Sequence, residues 1–123
     1  MKYLFSIFVS LTLLSVSCYY DSEESLYPGE YLGNCDTTNV TYSSSIFPLL
    51  DNNCLSCHSA VSADSKGGGT SLEGYQNVLN NKQACLSAIK HIGDKPMPKN
   101  SAKLKDCLIQ QFQIWVDAGA LEN

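Results

Sequence analysis

Five contiguous residues, Cys54-Leu55-Ser56-Cys57-His58, limit what this chain can become more than any other stretch, because they spell C-x-x-C-H. Two thiols on one short helical turn can each add across a vinyl group of the same porphyrin, and the adjoining imidazole then points at the iron. The pattern is an attachment sequence for c-type haem. Cys54 and Cys57 are expected to become thioethers and His58 the proximal iron ligand, with its second ring nitrogen held by a backbone carbonyl that fixes the tautomer. Three other uses of a C-x-x-C pair compete with this one. Tetrahedral zinc usually takes a second pair of ligands at similar spacing, and neither Cys85 nor Cys107 belongs to such a pair. A thioredoxin-like redox pair needs a strand, helix and strand around it, a pattern missing here. The third is a plain disulfide pair that happens to precede a histidine.

The start of the chain favours haem, because c-type haem is attached after export. Lys2 precedes an apolar run from Tyr3 to Val16, which is short for a bilayer span and reads as the charged and apolar regions of a secretory signal. The run stops at Ser15-Val16-Ser17-Cys18, small residues before a cysteine that resemble a bacterial lipobox. There the signal, residues 1–17, is removed and Cys18 becomes the acylated first residue. Leu14 stands one place early, with Ser15 where leucine is common, so ordinary cleavage near Ser17 is the competing reading. Several acyl chains on Cys18 would anchor the protein stably in a bacterial membrane, which one chain would not. Either way the protein is exported, to the periplasm or the cell surface, where spare cysteines tend to pair.

The chain has six cysteines. With Cys18 assigned to lipid and Cys54 and Cys57 to haem, Cys35, Cys85 and Cys107 remain. Cys85 and Cys107 bracket the stretch expected on the far side of the haem, so a disulfide between them would restrain that loop by roughly 3 kcal/mol on chain-entropy grounds. Cys35 then stays free or competes for a partner. Net charge is −4 and every basic residue is lysine, which argues against a nucleic-acid protein, since guanidinium forks and a basic excess mark those. Acids crowd the early segment (Asp21, Glu23, Glu24, Glu30, Asp36) and lysines the late one (Lys82, Lys90, Lys95, Lys99, Lys103, Lys105).

Residues 18–41 are polar, without apolar periodicity, and read as a flexible tether between lipid and domain. Its acidic start, Asp21-Ser22-Glu23-Glu24, resembles signals that send lipoproteins to the surface of some Bacteroidetes-type bacteria; a solvated linker is the equal alternative. The domain itself occupies 42–123. A first helix is expected to begin near Ser43 to Ser45, where serines can cap, with Pro48 in a first turn and Ile46, Phe47, Leu49 and Leu50 as its buried face. The stretch Lys66-Gly67-Gly68-Gly69-Thr70 lacks the ending of a phosphate loop and reads as a flexible connection. Leu72, Tyr75, Val78 and Leu79, then Ala84, Leu86, Ala88 and Ile89, predict two short helices or one bent at Asn80-Asn81. The last helix is expected from about Leu104 to Ala118, with Leu104, Leu108, Phe112, Trp115 and Val116 on one side and Gly119 as its stop. No stretch alternates like a strand, so the fold class is all-α: a small helical domain whose sparse apolar residues pack around a covalent haem.

The segment from His91 to Lys99 contains Pro96 and Pro98 and cannot be regular helix. Met97 sits between those prolines, which limit its backbone freedom and let its sulfur be presented to iron at small ordering cost. Met1 leaves with the signal, so Met97 is the expected sixth ligand, as thioether ligation is usual in cytochromes c and raises the potential. His91 is the alternative ligand. Core filling is the plain alternative for Met97, and Tyr75 and Trp115 are assigned equally to haem lining or to the core.

Taken together, Tyr42 to Pro48 leading into the pentapeptide, then Pro96-Met97-Pro98, Leu104 to Cys107, and Trp115 to Ala120 resemble the small monohaem class I cytochrome c domains found as lipoproteins in Bacteroidetes and related bacteria. The resemblance spans about Val40 to the end. It implies one covalent haem c, axial ligation by His58 and Met97, first and last helices crossing near the haem, and a one-electron carrier that is not a turnover enzyme. Lys90, Lys95, Lys99, Lys103 and Lys105 around Met97 would steer redox protein partners with an acidic docking face, a solvated lysine face being the plain alternative. Two other functions stay open at this point. One is a haem enzyme or sensor with an open axial site for a small gas or peroxide; the other is a structural module held by zinc or disulfides.

Overall fold

The computed structural model describes residues 35–123, so the expected signal, the lipidation of Cys18 and the tether as far as Asn34 lie outside the described residues. Thr41, rather than a serine, opens the helical part: its extended backbone lets Oγ1 accept from the Ser44 N–H at 3.0 Å. A π-helical turn (Tyr42–Ile46) follows and runs directly into α1 (Phe47–Asn53), with Pro48 in the first turn, where a missing N–H costs nothing. Ile46, Leu49 and Leu50, three and four apart, are buried together. Phe47, expected among them, is instead 46% exposed, because the next position round a helix faces away from that stripe.

α2 (Leu55–His58) is a single turn, and a series of hydrogen-bonded turns connects it to α3 (Tyr75–Ile89). α3 passes through Asn80-Asn81 as one helix. Asn77 and Asn81 donate their side-chain amides to the carbonyls of Glu73 and Asn77 at 2.6 and 2.8 Å, so these polar groups are satisfied without breaking the helix. α4 (Asp106–Asp117) carries an aspartate in its first turn, where the helix dipole favours negative charge, and buries Ile109, Phe112, Trp115 and Val116. It stops at Gly119, whose left-handed φ of 97° lets the Ala120 N–H return to the Trp115 carbonyl at 2.8 Å. The regular elements among the described residues are all helical, with no strand among them, as an all-α fold requires.

The core lies where the π-helical turn and α3 both pack on α4. Tyr42 meets Tyr75 edge to face at 5.2 Å, and Phe112 meets Trp115 in the same way at 5.6 Å. Two of these rings have their polar ends satisfied: Tyr75 Oη donates to the Ala120 carbonyl and Trp115 Nε1 to the Leu121 carbonyl, each at 2.8 Å. Asn123 accepts from the Tyr42 N–H through its side chain and from the Ser43 N–H through its backbone, both at 2.9 Å, which fastens the C-terminal tail to the start of the helical part. Tyr75 and Trp115 therefore belong to this core, and neither lines the cleft described below.

The disulfide corrects the expected Cys85–Cys107 pairing. Cys107, at the start of α4, bonds Cys35, with Cα atoms 5.7 Å apart, while Cys85 on α3 is a free thiol. That separation lies within the roughly 7 Å a bridge can span. The segment before Thr41 lies back along α4, where Gln111 Nε2 donates to the Asp36 carbonyl at 2.9 Å, and this brings Cys35 to Cys107. Residues 35–41, expected as the end of a tether, are thus fastened to the domain, and the compact unit runs from Cys35 to Asn123.

Candidate functional site

Between α1 and α2 the Cys54 backbone leaves helical geometry (φ −125°, ψ −42°), and the pentapeptide winds into its own turn, with the Cys54 carbonyl accepting from the N–H groups of Cys57 and His58 at 3.1 and 2.9 Å. This winding turns Cys54, Cys57 and His58 toward one cleft of about 290 Å³. The same cleft is lined by Ile89 at the end of α3, by Met97, Pro98 and Lys99 in the following loop, and by Leu104 ahead of α4. Residues remote in sequence are brought together here.

His58 is held in one orientation. Its Nδ1 lies 2.8 Å from the Thr70 carbonyl, and because a carbonyl only accepts, Nδ1 is the donor; in the neutral imidazole Nε2 is then the nitrogen with the free lone pair. Among the described residues none hydrogen-bonds to Nε2. The loop that delivers Thr70 is anchored by the Leu72 N–H donating to the His58 carbonyl at 2.8 Å and by the Ala60 N–H donating to Glu73 Oε2 at 2.6 Å.

Gly67 lets that loop close. A Cβ there would stand 2.7 Å from the Cys57 carbonyl oxygen, 2.9 Å from His58 Nδ1 and 3.0 Å from Ala63 Cα, all parts of the motif or of the turn beneath it. Gly67→Ala is therefore expected to destabilise the protein by about 1–3 kcal/mol, the usual cost of overpacking, read as a lowered urea midpoint. An unchanged midpoint would mean that the loop can retreat from the imidazole freely. Thr70 and Gly67 are the site residues that the motif alone does not name. The run Gly67-Gly68-Gly69, read as a loose connection, is a tight turn in which the N–H groups of Gly67 and Gly69 both donate to the Ala63 carbonyl at 2.9 Å. A glycine nine residues after the motif histidine was the available signal, since glycine permits close backbone approach.

The thiols differ in environment. Burial pushes the pKa of Cys54 up to about 11, and burial followed by the nearby charge of Cys54 pushes Cys85 up to about 11 as well. Both are therefore protonated at neutral pH, while Cys57 is exposed. Met97 is half-buried, with its N–H donating to the Ala88 carbonyl at 3.0 Å and its carbonyl accepting from His91 Nε2 at 3.0 Å. His91 is absent from the cleft lining, so of the two candidates for a sixth ligand it is Met97 that shares the cleft with His58.

Among the described residues no group of three or more His, Cys, Asp or Glu is placed to hold a metal ion, so the zinc alternative has no ligand set there. Of the lysines expected around Met97, Lys99 lines the cleft, joined by Lys66, which the late cluster did not include. Lys95 and Lys105 are exposed, Lys103 pairs with Asp106 at 3.1 Å, and Lys90 donates to Gln113. No helix among the described residues is long and apolar enough to cross a membrane. No protein-family model, curated protein or solved structure matches this chain, so its reading rests on the residues and geometry given above.

Proposed function

We propose that this protein is a one-electron carrier similar to the small class I cytochromes c, with one haem c attached through Cys54 and Cys57 and ligated by His58 and Met97. In this reading it is an exported protein, anchored to a bacterial membrane through lipidated Cys18, and it passes electrons between redox partners without turning over a substrate. The observation that carries the reading is His58: its Nδ1 is held by the Thr70 carbonyl, as a metal-ligating imidazole requires, in a cleft that also contains both motif cysteines and Met97.

A haem held there by Cys54, Cys57, His58 and Met97 would supply one-electron redox chemistry. The chain's own residues set the conditions. Two thioethers would keep the cofactor from dissociating, and the Thr70 carbonyl, by accepting from Nδ1, makes Nε2 a better donor. The Met97 thioether, a soft neutral ligand, raises the potential. Ile89 and Leu104, both buried, supply an apolar wall that limits water near the metal. Lys66 and Lys99 give the mouth of the cleft positive charge, which favours approach by an acidic partner.

Denaturing mass spectrometry of the full chain, made in cells that attach c-type haem, tests the proposal. The expected result is a haem mass that survives denaturation, with Cys54 and Cys57 unreactive toward alkylation. Alkylation of both sulfurs and a mass without haem would overturn it. A covalent haem with a high-spin ferric spectrum would instead support the enzyme or sensor reading, in which the sixth site is open.

A further inference from the structure

We infer that His91 is a positioning residue that holds Met97 in place for the iron. This rests on the ligand assignment proposed above and adds to it a group that does not itself line the cleft. At the end of α3 the Ala88 carbonyl accepts two N–H groups, that of His91 at 3.1 Å and that of Met97 at 3.0 Å. His91 Nε2 then lies 3.0 Å from the Met97 carbonyl, so the imidazole donates and the carbonyl accepts. The loop between them is closed at its base, with both backbone polar groups of Met97 tied to the turn at residues 88–91.

The backbone at His91 strengthens the point. Its φ is 57°, in the left-handed region that glycine adopts most easily, and the Ile92 N–H donates to the Ser87 carbonyl at 2.9 Å across it. A non-glycine residue held in that region signals local strain, and such strain commonly accompanies a positional task. Here the side chain at the strained position reaches the residue assigned to the metal. Pinned on both its N–H and its carbonyl, Met97 has only side-chain rotations left with which to place its sulfur. Preorganisation of this kind matters most for a weak ligand, because each ordered bond not formed on ligation is a cost already met.

The test uses the full haem-loaded chain and three variants, His91→Ala, His91→Gln and His91→Phe. Glutamine can still donate to the Met97 carbonyl; alanine and phenylalanine cannot, and phenylalanine keeps the ring volume if alanine fails to fold. All three keep a side chain at the left-handed position, so the backbone cost is common to them. The expected result is that His91→Ala and His91→Phe weaken the near-infrared sulfur-to-iron band of the ferric protein and bind cyanide about two- to tenfold more tightly, the span one lost hydrogen bond allows. His91→Gln should stay close to wild type on both readouts. Equal bands and equal cyanide affinities in all four proteins would overturn the inference while leaving the ligand assignment standing. A wild-type protein without the sulfur band overturns the ligand assignment, and the inference with it.

Discussion

Met97→Ala is expected to abolish the sulfur-to-iron band, leave the ferric iron without a protein ligand on that side, and lower the reduction potential. The direction follows from the chemistry of the ligand. A thioether favours the ferrous state, and water or hydroxide in its place favours the ferric state, so the potential falls within the roughly 0.8 V over which axial ligation sets haem potentials. Cyanide should then bind without first displacing sulfur, and faster than to the wild type. Alanine keeps the N–H and carbonyl by which residue 97 is held to Ala88 and His91, so the loop should retain its path. Spectroelectrochemistry of the variant beside the wild type makes the comparison. An unchanged potential would sink the assignment of Met97, whatever the fate of the haem itself.

Removing the Cys35–Cys107 bridge should cost the fold about 4 kcal/mol. The two residues are 72 apart in sequence, and on chain-entropy grounds a closed loop of that length restricts the unfolded chain by about that amount. Against the roughly 5–15 kcal/mol of net stability that small domains usually possess, this is a large share. The double variant Cys35→Ala/Cys107→Ala is the suitable protein for the measurement, because a single change would leave one sulfur free to seek Cys85. Denaturant unfolding should show a midpoint far below that of wild type, and treatment of the wild type with reductant should move it in the same direction. A loss under about 1 kcal/mol would mean that residues 35–41 add little to the unit.

How much could be read from the sequence depends on how local each feature is. The pentapeptide is contiguous, and the loop containing Met97 is marked by its own prolines, so both were legible without knowledge of the fold. Helix types were legible for the same reason, since apolar spacing along α1, α3 and α4 is set within each segment. The bridge was not. Pairing Cys85 with Cys107 followed nearness along the chain, whereas Cys35 reaches Cys107 only because the preceding segment folds back along α4. Thr70 was hidden for a different reason: its carbonyl does the work, and every residue in that loop has the same backbone group to offer. The break expected at Asn80-Asn81 shows the limit of propensity, because asparagine disfavours helix only when its amide finds a better partner elsewhere.

The covalent link between Cys35 and Cys107 also decides how mechanical load enters the molecule. A pull transmitted from earlier residues would pass through sulfur straight into α4, the element that carries Phe112 and Trp115, and would bypass the Thr41 cap and the seam at Asn123. Residues 36–41, held by the Gln111–Asp36 hydrogen bond and the Thr41 cap, would lie outside the load path. Force entering there would thus be borne first by the helix that buries Phe112 and Trp115.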